Sequence, residues 1–354
     1  VEEDFTKAVE NRLLAGSITP VSIEATIERY ACRKRHLLAL KRKIDIQSLL
    51  KGLGQMRLKV IVDSMHGSAS GCLQEILGTK SNEFFEEIRT DRDPLFGGNA
   101  PEPLAKNLSQ LISITKSFSI TGRPVIGLAF DGDGDRIAAV DENGRFCSTQ
   151  LLIPLFIEHM AGFKELPGCV IKTVSGSDCI SSIADHFGRE VIERPVGFKY
   201  IAQEMLDREV LLGGEESGGI GFGHHLPERD ALFAALLLLE AIVSGGQPLG
   251  IRLNSLQKQL GQSFYDRVDI CLPHNDLRYK IEECLRKKPP SLIQGELVKE
   301  IIEIDGYKFR FGEKHWLMFR FSGTEPLLRI YCEAPTRTDV EKKLSWAKQF
   351  ALKV

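Results

Sequence analysis

No Cys-x-x-Cys spacing occurs among the eight cysteines of this 354-residue chain, so they outline neither a zinc site nor a disulfide frame. Cys32, Cys72, Cys147, Cys169, Cys179, Cys271, Cys284 and Cys332 stand in apolar contexts and read as reduced core residues of a cytoplasmic protein. No apolar run reaches the roughly 18 residues that cross a bilayer, and the opening Val1-Glu2-Glu3-Asp4 is no signal peptide. Net charge is nearly absent too. Forty-six basic residues against 48 acidic ones leave −2, which argues against a nucleic-acid binder and gives no polybasic membrane signal. Small molecules, neutral or anionic, remain as partners.

What is present is ample apolar material, 43% of the chain, enough for substantial cores in two to four domains. The longest apolar stretch, Ala231 to Leu239, suits a buried helix. The most informative segment is Asp131-Gly132-Asp133-Gly134-Asp135-Arg136, entered from Val125, Ile126, Leu128 and Phe130 and left through Ile137 to Val140. Asp131, Asp133 and Asp135 alternate with glycines and can fold round one hard cation, Mg²⁺, Mn²⁺ or Ca²⁺ rather than zinc. Strand-like flanks place this loop at the end of a buried strand, where α/β proteins put their chemistry. Arg136 beside it suits a phosphate that the metal also holds.

Other readings of the same segment differ at nameable positions. An EF-hand needs glycine at its sixth position, where Arg136 stands, and helical rather than strand flanks. A phosphatase with Asp131 as nucleophile remains open, although its usual pattern has Thr or Val where Asp135 lies. A plain acidic turn is disfavoured because three close carboxylates repel unless a cation or proton offsets them.

Along the chain, Asp4 to Leu14 reads as an amphipathic helix and residues 21 to 40 as a second. The basic stretches Arg33-Lys34-Arg35-His36 and Lys41-Arg42-Lys43 read as a solvated helix end and linker. From Leu58 strands and helices alternate. The segment Val60 to Ser68 with its following helix is echoed by Val170 to Ser177 with the helix Cys179 to Phe187, which hints at duplicated α/β units. After residue 260 the pattern changes to strands mixed with two helices. The expected fold is two duplicated three-layer α/β domains followed by a smaller α+β C-terminal domain.

Two further loops carry chemistry. In Gly213-Gly214-Glu215-Glu216-Ser217-Gly218-Gly219, Glu215 and Ser217 present an acceptor and a donor suited to sugar hydroxyls, and His224 and His225 follow closely. In Arg320-Phe321-Ser322-Gly323-Thr324-Glu325-Pro326, two hydroxyls, a glycine amide and a guanidinium make a phosphate cradle, with Arg329 as a second cation.

The order of these three loops resembles the α-D-phosphohexomutase family of phosphoglucomutases, phosphomannomutases and phosphoglucosamine mutases. Supporting matches are Asp63 to Gly67, Asp93 to Gly98 with Pro101-Glu102-Pro103, and Val196 to Ile201. The resemblance runs from about residue 40 to the end and implies four domains round one cleft. It implies that Asp131, Asp133 and Asp135 hold Mg²⁺ and that Arg136 and Lys199 lie near the transferring phosphoryl group. Glu215 and Ser217 would grip the sugar; Arg320, Ser322, Gly323 and Thr324 would bind the phosphate not being transferred. The implied reaction interconverts hexose 1- and 6-phosphates through a bisphosphorylated sugar, with glucose 1,6-bisphosphate or a related hexose bisphosphate as activator. Glucose or mannose phosphate is the expected substrate, because the glucosamine type tends to carry Gln before the Ser. The expected protein is cytoplasmic, a monomer or homodimer.

One departure stands out against the resemblance. The family's phosphoserine lies in a Thr-Ala-Ser-His-Asn-Pro-like loop, and no Ser-His pair exists in these 354 residues. Ser64, Ser68, Ser175 and Ser177 fall where helix-capping loops are expected, so this chain is expected to be inactive as a mutase, and a non-catalytic phosphosugar-binding protein stays open beside the phosphatase. The expected layout is therefore a truncated first-domain tail and linker (1–42), a second α/β domain ending in the metal loop (43–146), a third with the sugar loop (147–260) and the phosphate-binding domain (261–354).

Overall fold

The computed structural model describes residues 3–16, 26–81, 83–272, 274–323 and 325–353. The chain divides into two units, Val1–His36 and Leu37–Val354. In the first, a helix Glu3–Leu14 exposes Phe5, Val9 and Leu13 along one side. The helix expected over residues 21 to 40 begins only at Cys32 and runs to Lys43. Residues 26–31 are not helical, and 21–25 lie outside the described residues. Ile27 is 90% exposed and Tyr30 64%, so no buried face stabilises a helix there. The basic residues 41 to 43 occupy that helix's last turn, where the macrodipole favours cations.

Among its described residues the second unit carries three larger sheets and one two-stranded hairpin. In the first, β1 (Lys59–Asp63) lies between β2 (Phe85–Ile88) and β3 (Val125–Phe130), parallel to both. Beyond β3, β4 (Ile137–Val140) and β5 (Phe146–Cys147) run antiparallel, giving the order β2-β1-β3-β4-β5. The second sheet repeats the wiring. Its β6 (Cys169–Thr173), β7 (Val191–Arg194), β8 (Val210–Gly214) and β9 (Ile220–Phe222) take the order β7-β6-β8-β9, with only β9 antiparallel. The duplicated α/β pattern is thus realised in four strands of each sheet, β5 being an addition to the first. Both sheets contribute to one apolar core, Val60 and Ile126 from one, Val170 and Leu212 from the other. Between them lies the apolar helix Ala231–Gly245, capped by Asp230 on the Phe233 amide. No single helix among the described residues is long and apolar enough to cross a membrane.

The third sheet is antiparallel throughout. A small hairpin of β11 (Leu292–Ile293) and β12 (Glu296–Leu297) precedes its middle strands. The sheet itself comprises β10 (Phe264–Cys271), β13 (Glu300–Ile302), β14 (Tyr307–Gly312), β15 (His315–Phe321) and β16 (Leu327–Ala334), in the order β10-β16-β15-β14-β13. One face packs Phe309, Leu317, Phe319 and Ile330 against helices Asn275–Lys287 and Arg337–Lys353. The opposite face packs Trp316, Met318 and Tyr331 against Val174, at the end of β6. This is the α+β arrangement expected of the C-terminal segment. The cysteines need one correction: Cys32 and Cys271 are exposed and Cys284 half-buried, while the other five are buried and all eight are free thiols.

Candidate functional site

The Asp131 to Arg136 loop joins β3 to β4, and the Glu215 to Gly219 loop joins β8 to β9, so the two occupy equivalent places in the duplicated sheets. They also meet. A bridge pairs Arg136 with Gly219, and the Ile137 amide donates to the Gly218 carbonyl at 3.0 Å. Gly218 has φ +114°, and a Cβ there would stand 3.0 Å from the Ile137 carbonyl oxygen, so only glycine permits this approach. The metal loop is clamped from its other side. Ser68 donates through its amide to the Gly132 carbonyl (2.9 Å) and through its hydroxyl to the Asp133 carbonyl (2.7 Å), while the Gly132 amide donates to Pro101 (3.1 Å). A side chain at Gly67 would strike the Gly132 carbonyl oxygen at 2.7 Å.

Asp131, Asp133 and Asp135 each offer an oxygen within 4.8 Å of the others. Asp131 is fully buried. Its Oδ1 accepts from the amides of Gly134, Asp135 and Arg136 at 2.9–3.0 Å, and its Oδ2 from Arg136 Nε at 2.6 Å. Burial raises its pKa, but the Arg136 amide and guanidinium outweigh that and hold it below the usual carboxylate range. Burial, then the charge of Asp131, push Asp133 upward and take Asp135 to about 7. Asp135 Oδ2 meets Arg229 at 2.6 Å. Its Oδ1 is buried without a donor, Arg136 Nε being 3.8 Å away. A convergent oxygen set in which two carboxyls resist ionising beside an ionised third, and one buried oxygen stays unsatisfied, fits a hard divalent cation. An Asp131 nucleophile is a poor fit, because both of its oxygens already accept hydrogen bonds from its own loop. Arg136 reaches three carboxylates, Glu102 being the third at 3.6 Å.

In the sugar loop Glu215 is 6% exposed. Burial and the neighbouring Glu216 raise it to about 7, against the pull of Arg229, the Gly197 amide and Arg320. Ser217 is half-buried. Lys199 lies in the first turn of helix Phe198–Asp207, just after Gly197, with its ammonium 4.9 Å from the Tyr200 ring. His224 packs edge-on to Phe222 and Phe233, and His225 meets Asp230 at 2.7 Å, so both histidines serve the helix start.

In the phosphate loop Arg320 Nε donates to Asp305 Oδ2 at 2.7 Å, and that same oxygen accepts the Val196 amide at 3.0 Å. Ser322 is buried. Its amide donates to Leu327, its hydroxyl accepts the Glu325 amide, and its carbonyl accepts Arg278 Nη1 at 3.2 Å. A Cβ at Gly323 would meet nothing within 4 Å, and Thr324 lies outside the described residues. Arg329 Nη2 reaches Glu325 at 2.9 Å, leaving its buried Nε without an acceptor. The serines that follow strands are occupied: Ser64 by Glu87, Ser175 by Glu216, and Ser177 as the cap on the Cys179 amide.

Four residues of this region escape sequence reasoning. Arg229 pairs with Asp135 and lies 5.3 Å from the Phe198 ring. Arg267 and Tyr331 approach Glu216, and Asp305 holds Arg320. Only Arg229 carried a signal, as the cation next to the Asp230 cap of a long apolar run.

Sequence models of three domains of one family match the chain. They are phosphoglucomutase/phosphomannomutase alpha/beta/alpha domain II over residues 34–144, domain III over 150–260 and the C-terminal domain over 281–345. A phosphoglucosamine mutase of Methanococcus maripaludis is 29% identical over 90% of this chain, which spans 68% of that protein. A phosphoglucomutase/phosphomannomutase of Thermococcus kodakarensis is 26% identical over 88%, and there the chain spans 63%. The crystal structure of a putative phosphomannomutase from Thermus thermophilus superposes with a TM-score of 0.82 at 27% identity, over 99% of this chain and 72% of that one.

Proposed function

Because the chain belongs to the phosphoglucomutase/phosphomannomutase family, we propose that its three loops are the metal, sugar and phosphate subsites of a hexose-phosphate mutase. One observation carries this reading: the sugar loop touches the metal loop through the Arg136–Gly219 bridge and, through Glu216, accepts from Tyr331, two residues from Arg329 on β16. The three loops are therefore neighbours.

Asp131, Asp133 and Asp135 would hold Mg²⁺, which when bound neutralises charge on phosphoryl oxygens. Arg136 and Lys199 add positive charge beside it. Glu215 and Ser217 orient sugar hydroxyls, while Arg320, Arg329, the Ser322 hydroxyl and the Gly323 amide fix the phosphate at the sugar's far end. A bisphosphorylated sugar turned over between these subsites would present its 1- and 6-phosphates in turn to the metal loop, and their transfer would need a phosphoserine to give and take back the phosphoryl group. The substrate reading is a hexose phosphate of the glucose, mannose or glucosamine type. Glu216, whose neighbour position suggested excluding glucosamine, turns its carboxylate to Ser175 and Tyr331, so its identity does not read the sugar. With no Ser-His pair in the 354 residues, the proposed behaviour of this chain is binding without turnover.

Calorimetry tests the subsites. The chain should bind Mn²⁺ and lose that binding in Asp133→Ala. Arg320→Ala should weaken glucose 6-phosphate or glucosamine 6-phosphate by about 10- to 150-fold, a charge-assisted contact, and leave unphosphorylated glucose alone. Unchanged Mn²⁺ affinity in Asp133→Ala, or equal losses for sugar and sugar phosphate, would remove the corresponding assignment. Conversion of glucose 1-phosphate above an Asp131→Ala control, with Mg²⁺ and a trace of glucose 1,6-bisphosphate, would overturn the no-turnover reading.

A further inference from the structure

Glu216 is the middle residue of the sugar loop, yet its side chain is 5% exposed and points to groups outside that loop. Its Oε2 accepts from Ser175 Oγ at 2.9 Å, beyond the end of β6. Its Oε1 accepts from Tyr331 Oη at 3.2 Å and stands 3.9 Å from Arg267 Nη1, both on the C-terminal sheet. Its carbonyl accepts from Thr149 Oγ1 at 3.0 Å. The loop is thus tied to the second sheet, to a helix start and to the third sheet through one residue.

The register of the third sheet shows what lies beyond Tyr331. Tyr331 pairs across strands with Arg267 on one side and Met318 on the other. Two residues along β16, on the same face, comes Arg329, which pairs with Arg320. The hydroxyl that grips Glu216 therefore shares a face with the arginines assigned to phosphate, one step away.

We propose that Glu216 is a positioning residue that fixes the distance between the sugar-gripping pair, Glu215 and Ser217, and the arginine face of the C-terminal sheet. It makes the two subsites a single gauge for phosphate-to-hydroxyl spacing. The assignment of ligands to those subsites rests on the proposed function; the strut itself does not. Phosphate alone touches one end of the gauge and should not sense Glu216. A hexose phosphate touches both ends and should.

Two variants test this in the ligand-free chain and with ligands. Tyr331→Phe removes one hydroxyl with little change of shape, and Glu216→Ala removes both acceptor oxygens, which Gln would not, since Ser175 and Tyr331 can turn and accept from its NH₂. In hydrogen exchange, the Glu215 and Gly218 amides should exchange about 10-fold faster in both variants, while β1 and β3 keep wild-type rates. Binding of glucose 6-phosphate should weaken about 5- to 20-fold and that of inorganic phosphate stay within about twofold. Unchanged loop exchange in both variants overturns the strut, whatever the ligands do. Faster loop exchange with equal losses for glucose 6-phosphate and phosphate overturns the gauge. Failure of the wild-type chain to prefer glucose 6-phosphate over phosphate counts against the functional reading instead, and exchange alone then decides the strut.

Discussion

Glu215 illustrates, at the scale of one residue, a site that is built at a cost to the fold. Buried beside Glu216 and facing Arg229 and Arg320, its folded pKa of about 7 lies above the ordinary value of 4.5. The folded state therefore holds this proton more tightly than the unfolded state. That contribution to stability is full below about pH 4.5 and is lost as pH rises through about 7. The loss is on the order of 3 kcal/mol at most. Glu215→Gln is expected to leave stability near pH 4 almost unchanged and to raise it by up to that order at pH 8, while weakening sugar binding. Urea unfolding at both pH values measures it, and identical wild-type and variant stabilities at pH 8 would show that Arg229 and Arg320 already compensate the charge. The three aspartates and the sugar and phosphate loops were legible because dense polar residues in short apolar surroundings have few structural uses. Arg267 and Asp305 were not, because each is a single charged residue in an ordinary context whose partner lies in another element.

Legibility at the scale of elements followed periodicity. Strands such as β3 and β4 and the buried helix Ala231–Gly245 fell close to expectation, since their apolar runs are distinctive. Two helices had no such signal. Thr149–Ile157 is buried at eight of its nine positions, so it shows no polar face to define a period. Ile46–Met56 contains Gly52 and Gly54, which lower its helix propensity, although Asp45 caps it by accepting the Gln47 and Ser48 amides. Gly52 is there for packing: a Cβ would lie 2.0 Å from Val243 Cγ1 on helix Ala231–Gly245. Gly52→Ala should therefore destabilise by about 1–3 kcal/mol through overpacking, despite alanine's better helix propensity. Adding Val243→Ala should recover much of the loss. A single variant as stable as the wild type in urea would mean that the two helices can part without cost.

At the scale of the whole molecule, Glu333 ties the second and third sheets together. It is fully buried on β16. Its Oε1 accepts from Ser177 Oγ (2.6 Å) and Ser263 Oγ (2.8 Å); its Oε2 accepts from the Asp178 amide (2.8 Å) and Trp316 Nε1 (2.9 Å). Ser177 and Asp178 open the helix after β6, whereas Trp316 belongs to the C-terminal sheet. The two oxygens are chemically unequal. The donors at Oε2 can only donate, but the hydroxyls at Oε1 can turn and accept. Glutamine can place its carbonyl at Oε2 and its NH₂ toward the two hydroxyls, so Glu333→Gln should cost no more than about 1.5 kcal/mol. Glu333→Ala leaves the Asp178 amide and Trp316 Nε1 buried and unpaired, at about 1–3 kcal/mol for each. Because those donors sit on opposite sides of the joint, the alanine variant should also loosen the coupling between the α/β sheets and the C-terminal domain. Its thermal unfolding should split into two transitions where the wild type and Glu333→Gln show one. A single, merely lowered transition in Glu333→Ala would place the cooperativity instead in the apolar contacts of Val174 with Trp316, Met318 and Tyr331.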